Sequence, residues 1–107
     1  MTIQIRRTEV FADWLDNLKD RQGAARIVKR LMRVEEGHLG DYASVGDGVM
    51  ELRFHFGPGY RVYYVQRGET LIILLAGGDK ASQARDIDKA KAVASALLAG
   101  PTEETDQ

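Results

Sequence analysis

The stretch that most constrains the fold is Thr70-Leu71-Ile72-Ile73-Leu74-Leu75-Ala76. Successive side chains of a strand point to opposite faces, so a strand at 70–76 carries apolar groups on both. Such a strand belongs inside a sheet that is covered from both sides. The rest of the chain therefore has to supply a partner along each edge and a layer over each face.

The segments before it fit that requirement. Tyr60 to Gln66 reads as a strand that reaches 70–76 through a turn at Arg67-Gly68-Glu69, and Gly57-Pro58-Gly59 turns it back on another strand at 49–56. Within 49–56, Met50, Leu52, Phe54 and Phe56 lie on one face, and Glu51, Arg53 and His55 lie on the other. Residues 38–48, punctuated by Gly40, Gly46 and Gly48, read as loop. Further upstream, Thr8 can cap a helix over 9–19 whose apolar face holds Val10, Phe11, Trp14, Leu15 and Leu18. Asp20 can cap a second over 21–36, with Ala24, Ile27, Val28, Leu31 and Val34 inward and Gly37 ending it. Ile3 and Ile5 alternate with polar neighbours, as in a short edge strand. A final helix over 83–98 presents Ile87, Ala90, Val93 or Ala94, and Leu97 on one side. The order β-α-α-β-β-β-α predicts an α+β fold, an antiparallel meander packed by an N-terminal helical hairpin and a C-terminal helix. The strand at 70–76 should lie between the 60–66 strand and the N-terminal strand. Residues 1–100 form one domain in this reading, and 101–107 an acidic, frayed tail.

Composition narrows the chemistry. The 107 residues include no cysteine, which excludes disulfides, thiolate metal sites and cysteine nucleophiles. No apolar stretch approaches the roughly 18 residues of a membrane span, and the N-terminus has no signal-like apolar core, so the cytosol is the expected location. The net charge of −1 includes Glu103, Glu104 and Asp106 in the tail, and removing those three from −1 leaves a mildly basic +2. A nucleic-acid partner is thus permitted by charge without being required by it.

The candidate site lies on the polar face of the meander. Arg53 and His55, two residues apart on one strand, point the same way about 7 Å apart. The Gly57-Pro58-Gly59 turn brings Arg61 beside them, with Tyr60 and Tyr63 near. Lys80 follows the central strand, and Gln83 and Arg85 open the last helix. Guanidinium forks match phosphate oxygens, an aromatic ring can stack a base, and an imidazole can move a proton near neutral pH. Together they suit attack by a ribose 2′-hydroxyl on the adjacent phosphodiester, without metal or other cofactor. Each residue also has an ordinary reading: Arg53 pairing with Glu51 or Glu69, His55 as a surface residue, the tyrosines as strand formers, and Lys80 as a solvated charge. Glu35, Glu36 and His38 lack the further ligand a metal site needs.

Three runs give the chain a family likeness. Val45-Gly46-Asp47-Gly48-Val49-Met50-Glu51-Leu52-Arg53, Gly57-Pro58-Gly59-Tyr60-Arg61-Val62-Tyr63-Tyr64 and Leu74-Leu75-Ala76-Gly77-Gly78-Asp79-Lys80, with Asp86-Ile87 following, resemble the RelE/ParE toxin superfamily. Within it they are most similar to the HigB-like branch of addiction-module killer proteins. The resemblance runs from the first strand to about Leu98. It implies a ribosome-dependent endoribonuclease that cuts messenger RNA in the decoding site. It also implies a cognate antitoxin, a small helix-turn-helix protein encoded just downstream, held with the toxin in a hetero-oligomer. Arg53, Arg61 and Lys80 match basic active-site positions of RelE-like toxins, whereas His55 is nominated on its chemistry alone. RelE-like nucleases often carry a tyrosine in the C-terminal segment, but this chain has none after Tyr64, which leaves the proton-transfer group open between His55, Tyr60 and Tyr63. ParE-like members share the fold yet bind DNA gyrase, and a degenerate toxin would only bind its antitoxin. These remain the alternatives.

Overall fold

The strand over the most apolar run does lie inside the sheet. The computed structural model describes residues 2–99, which contain β1 (Gln4–Arg7), α1 (Glu9–Asp16), α2 (Arg21–Glu35), β2 (Tyr42–Gly46), β3 (Val49–Arg53), β4 (Tyr60–Arg67), β5 (Leu71–Asp79) and α3 (Gln83–Ala99). The five-stranded sheet has the order β1-β5-β4-β3-β2. β5 is flanked by β4 and by the N-terminal strand, as expected. Between β5 and β1 the pairing is parallel, so the sheet is mixed rather than purely antiparallel. The parallel sense follows from the helical hairpin, which carries the chain back across the sheet after β1. The expected boundary at residue 100 and the tail at 101–107 lie outside the described residues.

Each face has its own cover. Phe11 and Leu15 of α1 and Ala24, Ile27, Leu31 and Val34 of α2 are buried against Leu52, Phe54, Val62, Tyr64, Ile72 and Leu74. On the reverse, Ala90 and Ala94 of α3 close over Val49, Tyr63, Leu75 and Ala76. A bulge in β5 leaves Leu75 as the extra residue between the Ala76–Tyr63 and Leu74–Tyr64 pairs. Both N-caps are as predicted: the Thr8 hydroxyl accepts from the Phe11 N–H, and the Asp20 carboxylate accepts from the Gly23 N–H. Thr8 also donates to the Leu74 carbonyl at 2.8 Å, which fastens the start of α1 to β5.

α1 ends at Asp16, where Asn17 caps it, rather than at 19, and three strand boundaries differ for physical reasons. The loop expected over 38–48 contains β2, an edge strand joined to β3 by a tight turn. Gly46 pairs with Val49, so Asp47 and Gly48 form the two-residue loop, with φ of 57° and 78°. Both values are left-handed, and Asp-Gly is a strong sequence signal for such a hairpin. β3 ends at Arg53 rather than 56, because residues 54–59 widen into the wall of the site. β5 does not stop at Ala76 but runs through Gly77 and Gly78. A side chain at Gly77 would collide with the Trp14 ring, and one at Gly78 with the Asp86 carboxylate. The glycine pair therefore lets α1 and α3 approach the strand from opposite faces. Among the described residues, no helix is long and apolar enough to cross a membrane.

Candidate active site

The end of β3, the 54–59 segment, the start of β4 and the turn after β5 surround an open groove of about 540 Å³. Its lining includes Arg53, His55, Arg61, Lys80 and Gln83. Strand register places the two arginines, since Arg53 is the direct cross-strand partner of Arg61. Like charges facing each other across a ladder repel, so this pair needs a counter-charge.

Glu51 supplies it. Its carboxylate, only 1% exposed, accepts from Arg53 Nε at 3.3 Å and lies 3.6 Å from Arg61 Nε. Gln83 Nε2 donates to the same carboxylate at 2.5 Å, tying the first residue of α3 to the floor of the groove. Arg61 is buried, being 9% exposed, and its Nη1 donates to the carbonyls of Gly59 and Tyr60. α3 begins directly over this part of the sheet, and that roof is what buries it.

At the mouth, the exposed His55 ring bonds to Asp41 through Nε2 at 2.6 Å. This bond is the main reason the Asp41 carboxyl titrates below its ordinary range, with Arg53 and Arg30 nearby adding to the effect. Asp41 is held from behind by Arg30 of α2. The Arg30 guanidinium donates to the carbonyls of Leu39, Asp41 and Arg53 and lies 4.5 Å from the centre of the Phe54 ring. Burial lowers the Arg30 pKa, yet the carbonyls it serves require its donors. Arg26 stacks 3.9 Å over Phe56 on the adjacent wall.

The structure thus gathers Arg53, His55, Arg61, Lys80 and Gln83, and excludes three other candidates. Tyr60 faces the helical hairpin, where it is buried between Trp14 and Phe56 and donates its hydroxyl to Asp20 at 2.8 Å. Desolvation, then the Asp20 bond, push its pKa up to about 12. Tyr63 is fully buried beneath α3, and its hydroxyl has no partner among the described residues. Burial, then the charge of Glu51, raise its pKa strongly. Neither ring can stack a base. Arg85 points away from the groove into a separate cleft beside Trp14 and Asp79, pairing with Asp86 at 4.0 Å. Helical geometry explains this, because two residues turn a helix by about 200° and Gln83 already occupies the groove side. Glu51, Asp41 and Arg30 were absent from the sequence candidates. Alternation placed Glu51 on the Arg53 face, whereas the Asp41–His55 contact depends on the hairpin that was read as loop. Among the described residues, no three His, Asp or Glu side chains are grouped as metal ligands would be.

The arrangement of sheet and helices is shared with a solved structure of a mutant E. coli toxin RelE in the free state. The TM-score is 0.63 at 15% identity, over 83% of this chain and 98% of that one. The fold is therefore RelE-like, the class expected from the sequence. More narrowly, the chain belongs to the phage derived protein Gp49-like family, which matches residues 13–96. It is also 47% identical over 97 residues to an uncharacterized protein of Haemophilus influenzae, spanning 91% of this chain and 98% of that protein.

Proposed function

We propose that this protein is the toxin of a type II toxin–antitoxin pair, a HigB-like endoribonuclease that cuts messenger RNA on the ribosome and so inhibits translation. The observation that carries the reading is the convergence of Arg53, Arg61 and Lys80 with the His55–Asp41 pair in one open groove. With Nε2–H of His55 donating to Asp41, Nδ1 is the basic nitrogen and can take the proton of a ribose 2′-hydroxyl. The 2′-oxygen then bonds to phosphorus as the bond to the 5′-oxygen breaks, and the leaving oxygen takes a proton from the Lys80 ammonium. Arg53 and Arg61 stabilise the extra negative charge on the phosphoryl oxygens. The products are a 2′,3′-cyclic phosphate and a 5′-hydroxyl, and the arginine and lysine cations supply the charge stabilisation that a metal would give. A helix-turn-helix antitoxin encoded beside the toxin would silence it by covering or distorting this groove.

Induction of the toxin alone, followed by primer extension on cellular messages, tests the reading. New cleavages should appear, growth should slow, and co-expression of the adjacent antitoxin should restore it. Cleavage should resist EDTA once ribosome integrity is maintained. Arg53→Ala and Lys80→Ala should weaken cutting, each less than Arg61→Ala. A second reading, gyrase binding without RNA cleavage, is favoured by the burial of both Tyr60 and Tyr63, which leaves the groove without a tyrosine. DNA damage with intact messages would select it.

A further inference from the structure

A carboxylate in a groove that is to hold phosphate works against it, because it cancels one of the cations. We propose that Glu51 is the positioning residue of the groove, holding Arg53 by its Nε edge and balancing the charge of Arg61, so that the Arg53 guanidinium fork faces the substrate. This assignment rests on the nuclease reading above and extends it to a residue that touches no RNA. Three observations support it. Glu51 hydrogen-bonds Arg53 at Nε, 3.3 Å away, and lies in ion-pair range of Arg61 Nε at 3.6 Å, while Arg61 Nη1 is held by the Gly59 and Tyr60 carbonyls. The arginines are direct cross-strand partners, an arrangement that repulsion would splay without a charge between them. The carboxylate is itself fixed, being buried and bonded to Gln83 on a different element. A side chain that only neutralised charge could sit anywhere nearby. This one takes the Nε of Arg53, which leaves the paired terminal nitrogens of that guanidinium for a phosphate.

The test uses the full chain as wild type, Glu51→Gln and Glu51→Asp. Single-turnover cleavage of a ribosome-bound message is measured beside binding of the same message with a 2′-deoxy codon that cannot be cut. Exchange of the Arg53 Nε–H with solvent is followed by NMR. Glu51→Gln should lose on the order of tenfold to a hundredfold in cleavage rate, since small misplacements of catalytic groups have effects of that size. Its binding of the deoxy message should be unchanged or tighter, because one negative charge has gone. Arg53 Nε–H exchange should be slow in the wild type and fast in Glu51→Gln, and Glu51→Asp, which keeps the charge, should fall between the two in rate. Cleavage by Glu51→Gln at the wild-type rate would overturn the proposal, as would a rate loss fully matched by lost binding. If Glu51→Gln does not fold, Arg53 Nε–H exchange in the wild type as fast as in a free guanidinium would still overturn it. A wild type that cuts no message would defeat the nuclease reading instead, and the exchange measurement would then decide alone whether Glu51 holds the arginine.

Discussion

The two faces of β4 lie one side chain apart and obey different rules. On the hairpin side, Tyr60, Val62 and Tyr64 are buried in an apolar layer, and the Tyr60 hydroxyl finds Asp20. On the α3 side, Arg61 and Tyr63 are buried too, but Arg61 Nε and the Tyr63 hydroxyl lack hydrogen-bond partners among the described residues. Buried polar groups are ordinarily satisfied, so unpaired ones mark where packing has been compromised for another purpose. One face of the strand is built for stability. The other holds charges in place at some cost to it.

Substitutions on the two faces should therefore separate stability from activity. The largest effect belongs to the hairpin side: Leu74→Ala removes a fully buried side chain from the neighbouring strand β5 and should cost about 2–5 kcal/mol in denaturant unfolding, with the rate per folded molecule unchanged. Arg61→Ala should reverse that pattern, losing on the order of a hundredfold in single-turnover cleavage. Because it uncovers one side of Glu51, it should also lose roughly 1–3 kcal/mol of stability, which a surface arginine would not. His55→Ala should slow cleavage by a comparable factor with little change in melting, since the ring is 71% exposed. Tyr60→Phe should lower the melting temperature by about 5 °C and leave cleavage intact, because its hydroxyl serves the α2 cap. A cleavage defect in Tyr60→Phe would put the ring back in the site and break the comparison.

The smallest effect is one of pH. Burial pushes the Tyr60 and Tyr64 pKa up to about 12, and that of Tyr63 still higher. The unfolded chain loses these protons near pH 10, whereas the folded chain keeps them. Between about pH 10 and 12 the unfolded state binds fewer protons, so stability falls as pH rises through that window. Tyrosinate absorbance should accordingly rise together with loss of helical circular dichroism. A smooth titration of all the tyrosines in a still-folded protein would show that both faces of β4 are open to solvent.

Sequence patterns expose some of this design and conceal the rest. The placement of β5 was legible because six apolar residues in a row, Leu71 to Ala76, leave it no edge position. Both caps were legible because Thr8 and Asp20 act on neighbours three residues away. The alternation that puts Arg61 and Tyr63 on one face puts Tyr60 on the other, so its exclusion from the groove was readable in principle. The burial of Arg61 and Tyr63 was not, because it depends on where α3 lands after the turn at residue 80. The Asp41–His55 pair spans two strands and becomes visible only when Asp47-Gly48 is recognised as a hairpin turn.

The sheet order has a temporal side as well. Gln4 pairs with Leu71, so the first strand to be synthesised must wait for the last one. Closing so long a loop is slow and entropically costly, whereas β3 and β4 can pair as soon as their short connection exists. A nascent chain can therefore bring Arg53 opposite Arg61 before β5 exists. Only when residue 79 has left the synthesis machinery can β5 enter between β4 and β1, with Lys80 and Gln83 closing the groove behind it. Until then the growing polypeptide carries part of a site and no complete one.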